Sequence, residues 1–136
     1  MIEQKEITLP SLSRGYHLIT NLITNETDKL PEKGLLNIFI KHTSAALTIN
    51  ENADPSVTID FEKFMNRLIP DGDNLFTHTM EGPDDMAAHI KSSTFGQSLT
   101  IPISNHRLNL GTWQGIYLCE FRNHGGNRKL VITIYS

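Results

Sequence analysis

Hydrophobic and polar residues recur along the chain with the periods of strands and helices. Residues 34–42 are almost continuously apolar, which predicts a buried strand. Asp54 and Pro55 are typical of a helix start, and Pro70 ends the pattern that follows. The apolar positions between them recur at helical spacing and are Val57, Phe61, Phe64, Met65 and Leu68. The first half of the chain therefore predicts a buried strand followed by an amphipathic helix.

The rest of the pattern predicts a second helix and further strands. The second helix begins near Pro83, turns Met86, Ile90 and Phe95 inward, and stops at Gly96. Residues 4–9 and 98–103 are expected to form strands. Residues 45–49 are expected to continue the strand of residues 34–42 or to pair with it. Residues 16–24 are expected to start extended and to become a helix capped by Asn21. Residues 111–121 and 128–135 pair as a hairpin across 123–127. These elements predict one α+β domain over residues 1–136, a mostly antiparallel sheet or sandwich with two to three helices.

Composition narrows the functional classes. The chain has 136 residues, 38% of them hydrophobic, which is enough to build a core. No apolar run approaches the roughly 20 residues of a membrane span, and the first residues lack the apolar region of a signal peptide. The formal charge of −3 argues against a nucleic-acid partner. The single cysteine, Cys119, fits a core position and a reducing cytoplasm.

Three of the six histidines adjoin predicted elements from which their rings can meet. His42 ends the predicted buried strand, His89 lies on the second helix, and His78 precedes that helix. Three neutral imidazoles with an open position are typical of a catalytic transition-metal site. Asp85, four residues before His89 on the same helical face, is either a ligand or a partner that orients that ring. Two alternatives stay open: the histidines make structural hydrogen bonds, or they line an acid–base pocket without metal.

Two further groups of residues are candidates for binding an anion or the planar ring of a ligand. Gly125 and Gly126 allow backbone angles in which successive N–H groups bind an anion, with Arg122 and Arg128 beside them. A plain hairpin turn is the alternative for the two glycines. Trp113 either stacks on a planar heterocycle or is buried in the predicted hairpin.

Several motifs follow one another in the order of a known family. They are Ser13-Arg14-Gly15, the run from His42-Thr43-Ser44-Ala45 to Asn50-Glu51-Asn52 and Asp54-Pro55, Glu81-Gly82-Pro83-Asp84-Asp85-Met86 with His89-Ile90-Lys91-Ser92, and Gly111-Thr112-Trp113-Gln114-Gly115-Ile116. Over nearly its whole length the chain resembles the YjbQ-like family. The resemblance implies an α+β fold, a homotrimer and the activity of a secondary thiamine-phosphate synthase. That reaction joins hydroxymethylpyrimidine diphosphate to a thiazole phosphate and releases pyrophosphate, so the implied partner is a small phosphorylated metabolite.

The matching motifs imply eleven pocket residues. We expect a catalytic role for Glu51, Asp85, Lys91 and Glu120, a substrate-binding role for Asn50, Asp54, Trp113 and Arg128, and a metal-binding role for His42, His78 and His89. The metal role of the histidines rests on their placement in the chain and not on the resemblance. The expected cofactor is a divalent metal, either Mg²⁺ or a transition metal such as Zn²⁺.

The synthase reaction needs the charge of its diphosphate leaving group to be neutralised. Mg²⁺ held by carboxylates, with Lys91 and Arg128 on the phosphates, would do this. The carboxylates are those of Glu51, Asp54 and Asp85, while Glu120 or Trp113 would face the pyrimidine cation.

The three histidines are surplus to that scheme, because Mg²⁺ prefers oxygen ligands and a histidine-rich centre suits a transition metal. Three functions therefore stay open. They are the synthase, a metal-dependent hydrolase with Glu51 or Asp85 as base, and a trimer that binds a metabolite without catalysis.

Overall fold

The computed structural model describes residues 1–136 and contains eight strands and three helices. In chain order the elements are β1 (Ile2–Thr8), β2 (Gly15–Leu18), α1 (Thr20–Asn25), β3 (Lys33–Ile40), β4 (Ala45–Glu51), α2 (Pro55–Leu68), α3 (Asp85–Phe95), β5 (Ser98–Ser104), β6 (Arg107–Leu108), β7 (Gln114–Glu120) and β8 (Lys129–Tyr135). None of the three helices combines the length and the apolar character that crossing a membrane requires. The α+β class expected from the sequence is confirmed.

The strands form two antiparallel sheets that share one hydrophobic core. The larger sheet has the order β1-β8-β3-β5-β6 and the smaller one β2-β7-β4. Ile38 of β3 lies opposite Ile132 of β8, and both belong to a core cluster that also contains Leu47 and Leu118 of the smaller sheet. Because apolar side chains of both sheets meet in this cluster, the fold is a sandwich of two sheets.

Strand β3 is central in the larger sheet, as its apolar run predicts. It pairs with β5 on one side and with β8 on the other. Its burial nevertheless alternates: Leu36, Ile38 and Ile40 are buried, while Leu35 and Phe39 are each 45% exposed. Only one face of this sheet therefore packs on the core.

Helices α2 and α3 begin and end close to the predicted residues. Asp54 caps α2, because its Oδ1 accepts the backbone N–H of Ser56 at 2.9 Å, and Pro55 is the first helical residue. Gly96 ends α3 with φ of 109°, a conformation that side chains other than glycine's rarely adopt. Helix α3 packs on β4, so its first turn lies at the start of that strand.

The predicted hairpin of residues 111–121 and 128–135 is wrong. Strands β7 and β8 exist, but β7 pairs with β2 and β4 whereas β8 pairs with β1 and β3. Residues 121–128 therefore cross from one sheet to the other instead of reversing the chain within a sheet. Local alternation identifies a strand but does not identify its partner.

The apolar faces of the helices also differ from the prediction. Phe64 and Leu68 of α2 are 64% and 61% exposed, and only Met65 is buried. The buried residues of α3 are Asp85, Ala87, Ala88, Lys91 and Ser92, whereas the predicted inner residues Met86 and Ile90 are half-buried. Asn21 lies within α1 and does not cap it; the cap position is Ile19. The inner face of α3 is therefore small and polar instead of large and apolar.

Candidate metal centre

The loop from α2 to α3 and the first two turns of α3 bring two histidines to one carboxylate. Asp85 is the first residue of α3, and His89 lies one turn later on the same face. His78 reaches the same place from the loop before the helix. Asp85 is 1% exposed, so its charge is largely removed from water.

The Oδ2 atom of Asp85 contacts both imidazole rings. It lies 2.7 Å from Nε2 of His78 and 3.0 Å from Nε2 of His89. One ligand atom from each of the three residues lies within 4.8 Å of the other two. The side chains of His78 and His89 are 43% and 30% exposed, so the group opens to solvent on the histidine side.

The backbone selects one tautomer of His89. Its Nδ1 lies 2.8 Å from the carbonyl oxygen of Thr43, which can only accept a hydrogen bond. Nδ1 therefore carries the proton, and in the neutral ring Nε2 is a lone pair that faces the carboxylate of Asp85 at 3.0 Å. Two acceptors then face each other, an arrangement that either a second ring proton or a bound cation would stabilise.

Arg122 fixes the other side of the carboxylate. Its Nη1 donates to Oδ1 of Asp85 at 2.6 Å, and its Nε donates to Oδ2 of Asp84 at 3.0 Å. Burial by itself would raise the pKa of Asp85, but the hydrogen bond from His78 and the charge of Arg122 hold it below its usual range. Asp85 is therefore an anion whose Oδ2 is turned towards the two imidazoles.

The donor set fits a transition metal ion. Two imidazole nitrogens and a carboxylate oxygen are common zinc ligands, and bond lengths of about 2.0–2.1 Å separate tetrahedral ligand atoms by about 3.3 Å. The contacts of 2.7 and 3.0 Å at Oδ2 need only a small widening to reach that separation. Mg²⁺ fits less well, because it prefers oxygen ligands and octahedral geometry.

His42 does not join this group, although we expected three histidines to meet. Its Nε2 accepts the backbone N–H of Lys129 at 2.8 Å. Burial and the positive charge of Arg128 lower its pKa, which keeps the ring neutral for this bond. In this chain His42 therefore connects the end of β3 to the start of β8.

Two residues expected to meet substrate are buried against each other. Arg128 donates two hydrogen bonds to Glu120, from Nε at 2.7 Å and from Nη2 at 2.5 Å, and a third to Ser44 Oγ at 3.0 Å. Glu120 is 0% and Arg128 5% exposed. Gly125 packs directly on the Glu120 carboxylate, which also accepts the backbone N–H of Arg122 at 3.2 Å. Neither the guanidinium nor the glycine turn is thus free to clamp a phosphate within this chain.

Lys91 is also enclosed. It is 1% exposed, and its Nζ donates to Oδ1 of Asn66 at 2.6 Å and lies 5.9 Å from the centre of the Phe121 ring. Burial and the nearby charge of Arg14 lower its pKa. In this chain Lys91 joins α3 to α2 instead of facing an open pocket.

The remaining expected site residues lie at the opposite end of the smaller sheet. Glu120 pairs with Ala45 at one end of β4, and Gln114 pairs with Glu51 at the other. Six residues of strand separate these ends, a distance of about 20 Å. Asn50, Glu51, Asp54 and Trp113 all belong to the far end. The eleven residues therefore do not line one pocket within a single chain.

Individual contacts at that far end are structural. Asp54 caps α2, Asn50 Oδ1 accepts the backbone N–H of Glu51 at 2.7 Å, and the Glu51 carbonyl accepts the Tyr117 hydroxyl at 2.6 Å. Trp113 is 63% exposed and is not buried in a hairpin. Of these residues it is the one whose side chain is most clearly available to a ligand or another chain.

Sequence reasoning missed two residues of the centre. Thr43 acts through its backbone carbonyl, which no side-chain pattern identifies. The sequence places Arg122 only beside the glycine turn, although two adjacent acids, Asp84 and Asp85, at a predicted helix start are a signal for a cationic partner.

Comparison with known proteins gives the family. The model of the family described as UPF0047 protein YjbQ-like matches residues 5–136. The chain is 49% identical over 133 residues to UPF0047 protein YjbQ of Escherichia coli O157:H7, covering 96% of both chains. A crystal structure of an uncharacterised YjbQ/UPF0047 family protein from Clostridium acetobutylicum is 38% identical, with a TM-score of 0.83 over 96% of this chain and 99% of that one. A hypothetical protein from Aeropyrum pernix K1 is 26% identical, with a TM-score of 0.83 over 98% of each chain. The chain belongs to the UPF0047 protein YjbQ-like family.

Proposed function

We propose that this protein is a metal-dependent enzyme of the hydrolase type, in which His78, Asp85 and His89 bind one divalent transition metal ion. The observation that carries the proposal is the convergence of two imidazole Nε2 atoms on one buried carboxylate oxygen, at 2.7 and 3.0 Å. The backbone of Thr43 holds His89 in the tautomer that presents a lone pair to the same point.

The surrounding residues have positioning roles in this proposal. Arg122 holds Oδ1 of Asp85, which leaves Oδ2 for the metal, and Asp84 holds Arg122. A metal ion in such a site supplies a water molecule of lowered pKa and polarises a substrate oxygen. Three protein ligands leave at least one position open, as catalytic zinc sites require. The exposed side of the histidines is where a small phosphorylated metabolite would approach.

The sequence predicts Glu51 or Asp85 as the catalytic base, but neither residue has that role in this proposal. Glu51 lies about 20 Å along β4 from the centre within the same chain. Asp85 is occupied by both imidazoles and by Arg122.

The second candidate is the thiamine-phosphate synthase reaction that the resemblance implies. Within one chain its proposed phosphate clamps, Lys91 and Arg128, are buried and hydrogen-bonded to Asn66 and Glu120. The reaction would therefore need a pocket completed by other copies of the chain in a homotrimer. For this reason we place it after the hydrolase.

Metal content of untagged protein, purified without chelators, tests the proposal. We expect about one zinc, nickel or iron ion per chain in the wild type, and loss of that ion in His89→Ala. His17→Ala is the matched control, because the His17 ring contacts the carbonyl of Ser13 and lies outside the group. A panel of phosphate esters, followed by the two thiamine precursors, then separates hydrolysis from synthesis.

Two results would contradict the proposal. One is a wild-type protein that contains no transition metal and takes none up when Zn²⁺ is added. The other is a His89→Ala variant that retains as much metal as the wild type and His17→Ala.

A further inference from the structure

The charges of the candidate centre do not balance within the chain. Asp84 and Asp85 are buried anions, and Glu81 lies beside them on the preceding loop. Arg122 is the one arginine or lysine paired with the two aspartates. With both imidazoles neutral, the three acids and one arginine carry a formal charge of −2. One divalent ion would cancel this charge.

The backbone of Glu81 is held by a hydrogen bond, whereas its carboxylate has no hydrogen-bond partner. Its carbonyl oxygen accepts Nη2 of Arg122 at 3.0 Å, the same arginine that holds Asp85. Gly82 follows with φ of 103° and turns the chain into α3. The side chain of Glu81 is 65% exposed and makes no side-chain hydrogen bond of ordinary geometry.

The carboxylate nevertheless points to the centre. Oε2 of Glu81 lies 4.0 Å from Nε2 of His78, the nitrogen that faces Asp85. The same nitrogen lies 2.7 Å from Oδ2 of Asp85, so the two carboxylates approach one imidazole. Two neighbouring carboxylates repel each other unless a cation lies between them.

We propose that Glu81 is the fourth protein ligand of the centre, and that it completes a set of two imidazoles and two carboxylates with His78, Asp85 and His89. This inference rests on the proposed metal site and adds a residue to it. Because its side chain is exposed, Glu81 has room to turn towards the centre, whereas Asp85 is held by Arg122.

The added ligand changes what the centre can do. Two carboxylates neutralise a divalent ion, so the loaded site carries no excess positive charge that would retain an anionic product. Glu81 would occupy the position that the three-ligand site leaves open, so hydrolysis would require this exposed side chain to shift aside when water or substrate binds. A substrate would then enter on the side of Glu81, next to the solvent-exposed face of His78.

Zn²⁺ affinity, measured by competition with a chromophoric chelator, tests this inference on the full-length protein. Glu81→Gln keeps the shape of the side chain and removes the charged oxygen, and we expect at least about 10-fold weaker Zn²⁺ binding. Glu3→Gln removes the same charge from an exposed strand away from the centre, and we expect wild-type affinity. The d–d absorption spectrum of bound Co²⁺ should differ between Glu81→Gln and the wild type, because one ligand atom has changed.

A third variant separates ligation from a distant charge. Glu81→Asp keeps the charge and shortens the side chain, so loss of affinity in this variant supports direct ligation. Wild-type affinity in Glu81→Gln, or in Glu81→Asp, would overturn the inference. If Glu81→Gln matches the wild type while His89→Ala binds no Zn²⁺, the metal site stands and the fourth ligand fails. If the wild type itself binds no Zn²⁺, the proposed function and this inference fail together.

Discussion

His42 accepts a backbone N–H from Lys129 through Nε2, and this bond requires a neutral ring. Burial and the charge of Arg128 lower its pKa below the usual 6.5. The His42 ring therefore binds a proton less readily in the folded state than in the unfolded chain. The contribution of the neutral ring to stability is complete above pH 6.5. That contribution is lost as the pH falls through the lowered pKa. We expect His42→Gln, whose amide oxygen can accept the same N–H, to lose less stability than the wild type between pH 7.5 and pH 5.

Urea unfolding at the two pH values measures the difference. His42→Ala removes the acceptor altogether and should cost about 1 kcal/mol at pH 7.5. The other five histidines are the same in both proteins, so the comparison of wild type with His42→Gln isolates His42. Equal losses of stability in the two proteins would refute the assigned role.

The same residue shows which part of the centre could be predicted from the sequence. The pairing of Asp85 with His89 is predictable, because a spacing of four residues on a helix fixes the relative direction of the two side chains. In the structure His78 also contacts Asp85, which spacing along the chain alone could not establish. His42 is expected at the centre because it ends the predicted buried strand, but its ring accepts a backbone N–H of β8, which is distant in sequence. Spacing along the chain carries no information about such a partner.

A buried ion pair joins the two ends of the crossover from β7 to β8. Glu120 is the last residue of β7, and Arg128 immediately precedes β8. Removing one partner leaves an unpaired buried charge, so we expect Arg128→Ala to lower the free energy of unfolding by about 3–5 kcal/mol. Replacing both partners by Glu120→Gln and Arg128→Met should recover part of that loss. Equilibrium denaturation of the three proteins measures it.

Arg107→Ala is the control for this prediction. Arg107 lies in the exposed strand β6 and makes no side-chain hydrogen bond or ion pair, so its loss should change stability by less than about 0.5 kcal/mol. An Arg128→Ala variant as stable as Arg107→Ala would show that the pair does not hold the crossover. It would also return Arg128 to the residues available for phosphate binding.

The elements themselves were predictable where their signals are local. Asp54-Pro55 and Gly96 mark helix ends through bonds and angles formed within a few residues. The hairpin prediction failed because the partner of β8 depends on which sheet has space for it, and residues 121–128 look like a turn in either case. The inner face of α3 failed for a related reason. It packs on β4 through small and polar residues, and hydrophobic periodicity cannot identify such a face.

At the scale of the molecule, a band of apolar side chains has no cover within the chain. Phe64 and Leu68 of α2 are 64% and 61% exposed, although they lie one turn apart on the same side of the helix; Ile59, on another side, is 52% exposed. Leu75 and Met80 on the loop after α2 are 87% and 98% exposed. The same loop supplies His78 to the candidate centre. Several large exposed apolar side chains on one helix and the loop that follows it are typical of a protein–protein interface.

We therefore expect the homotrimer implied by the resemblance to use α2 as a contact. Sedimentation equilibrium should give about 46 kDa for the wild type, three times the 15.3 kDa chain. Phe64→Asp should shift the mass towards one chain, because a charge in an apolar contact loses its hydration without gaining a partner. Lys63→Ala, at the adjacent exposed position of the same helix, is the matched control and should keep the wild-type mass. A wild-type mass of 15 kDa would refute the trimer. A Phe64→Asp variant that remains at 46 kDa would show that the contact lies elsewhere on the surface, away from Phe64.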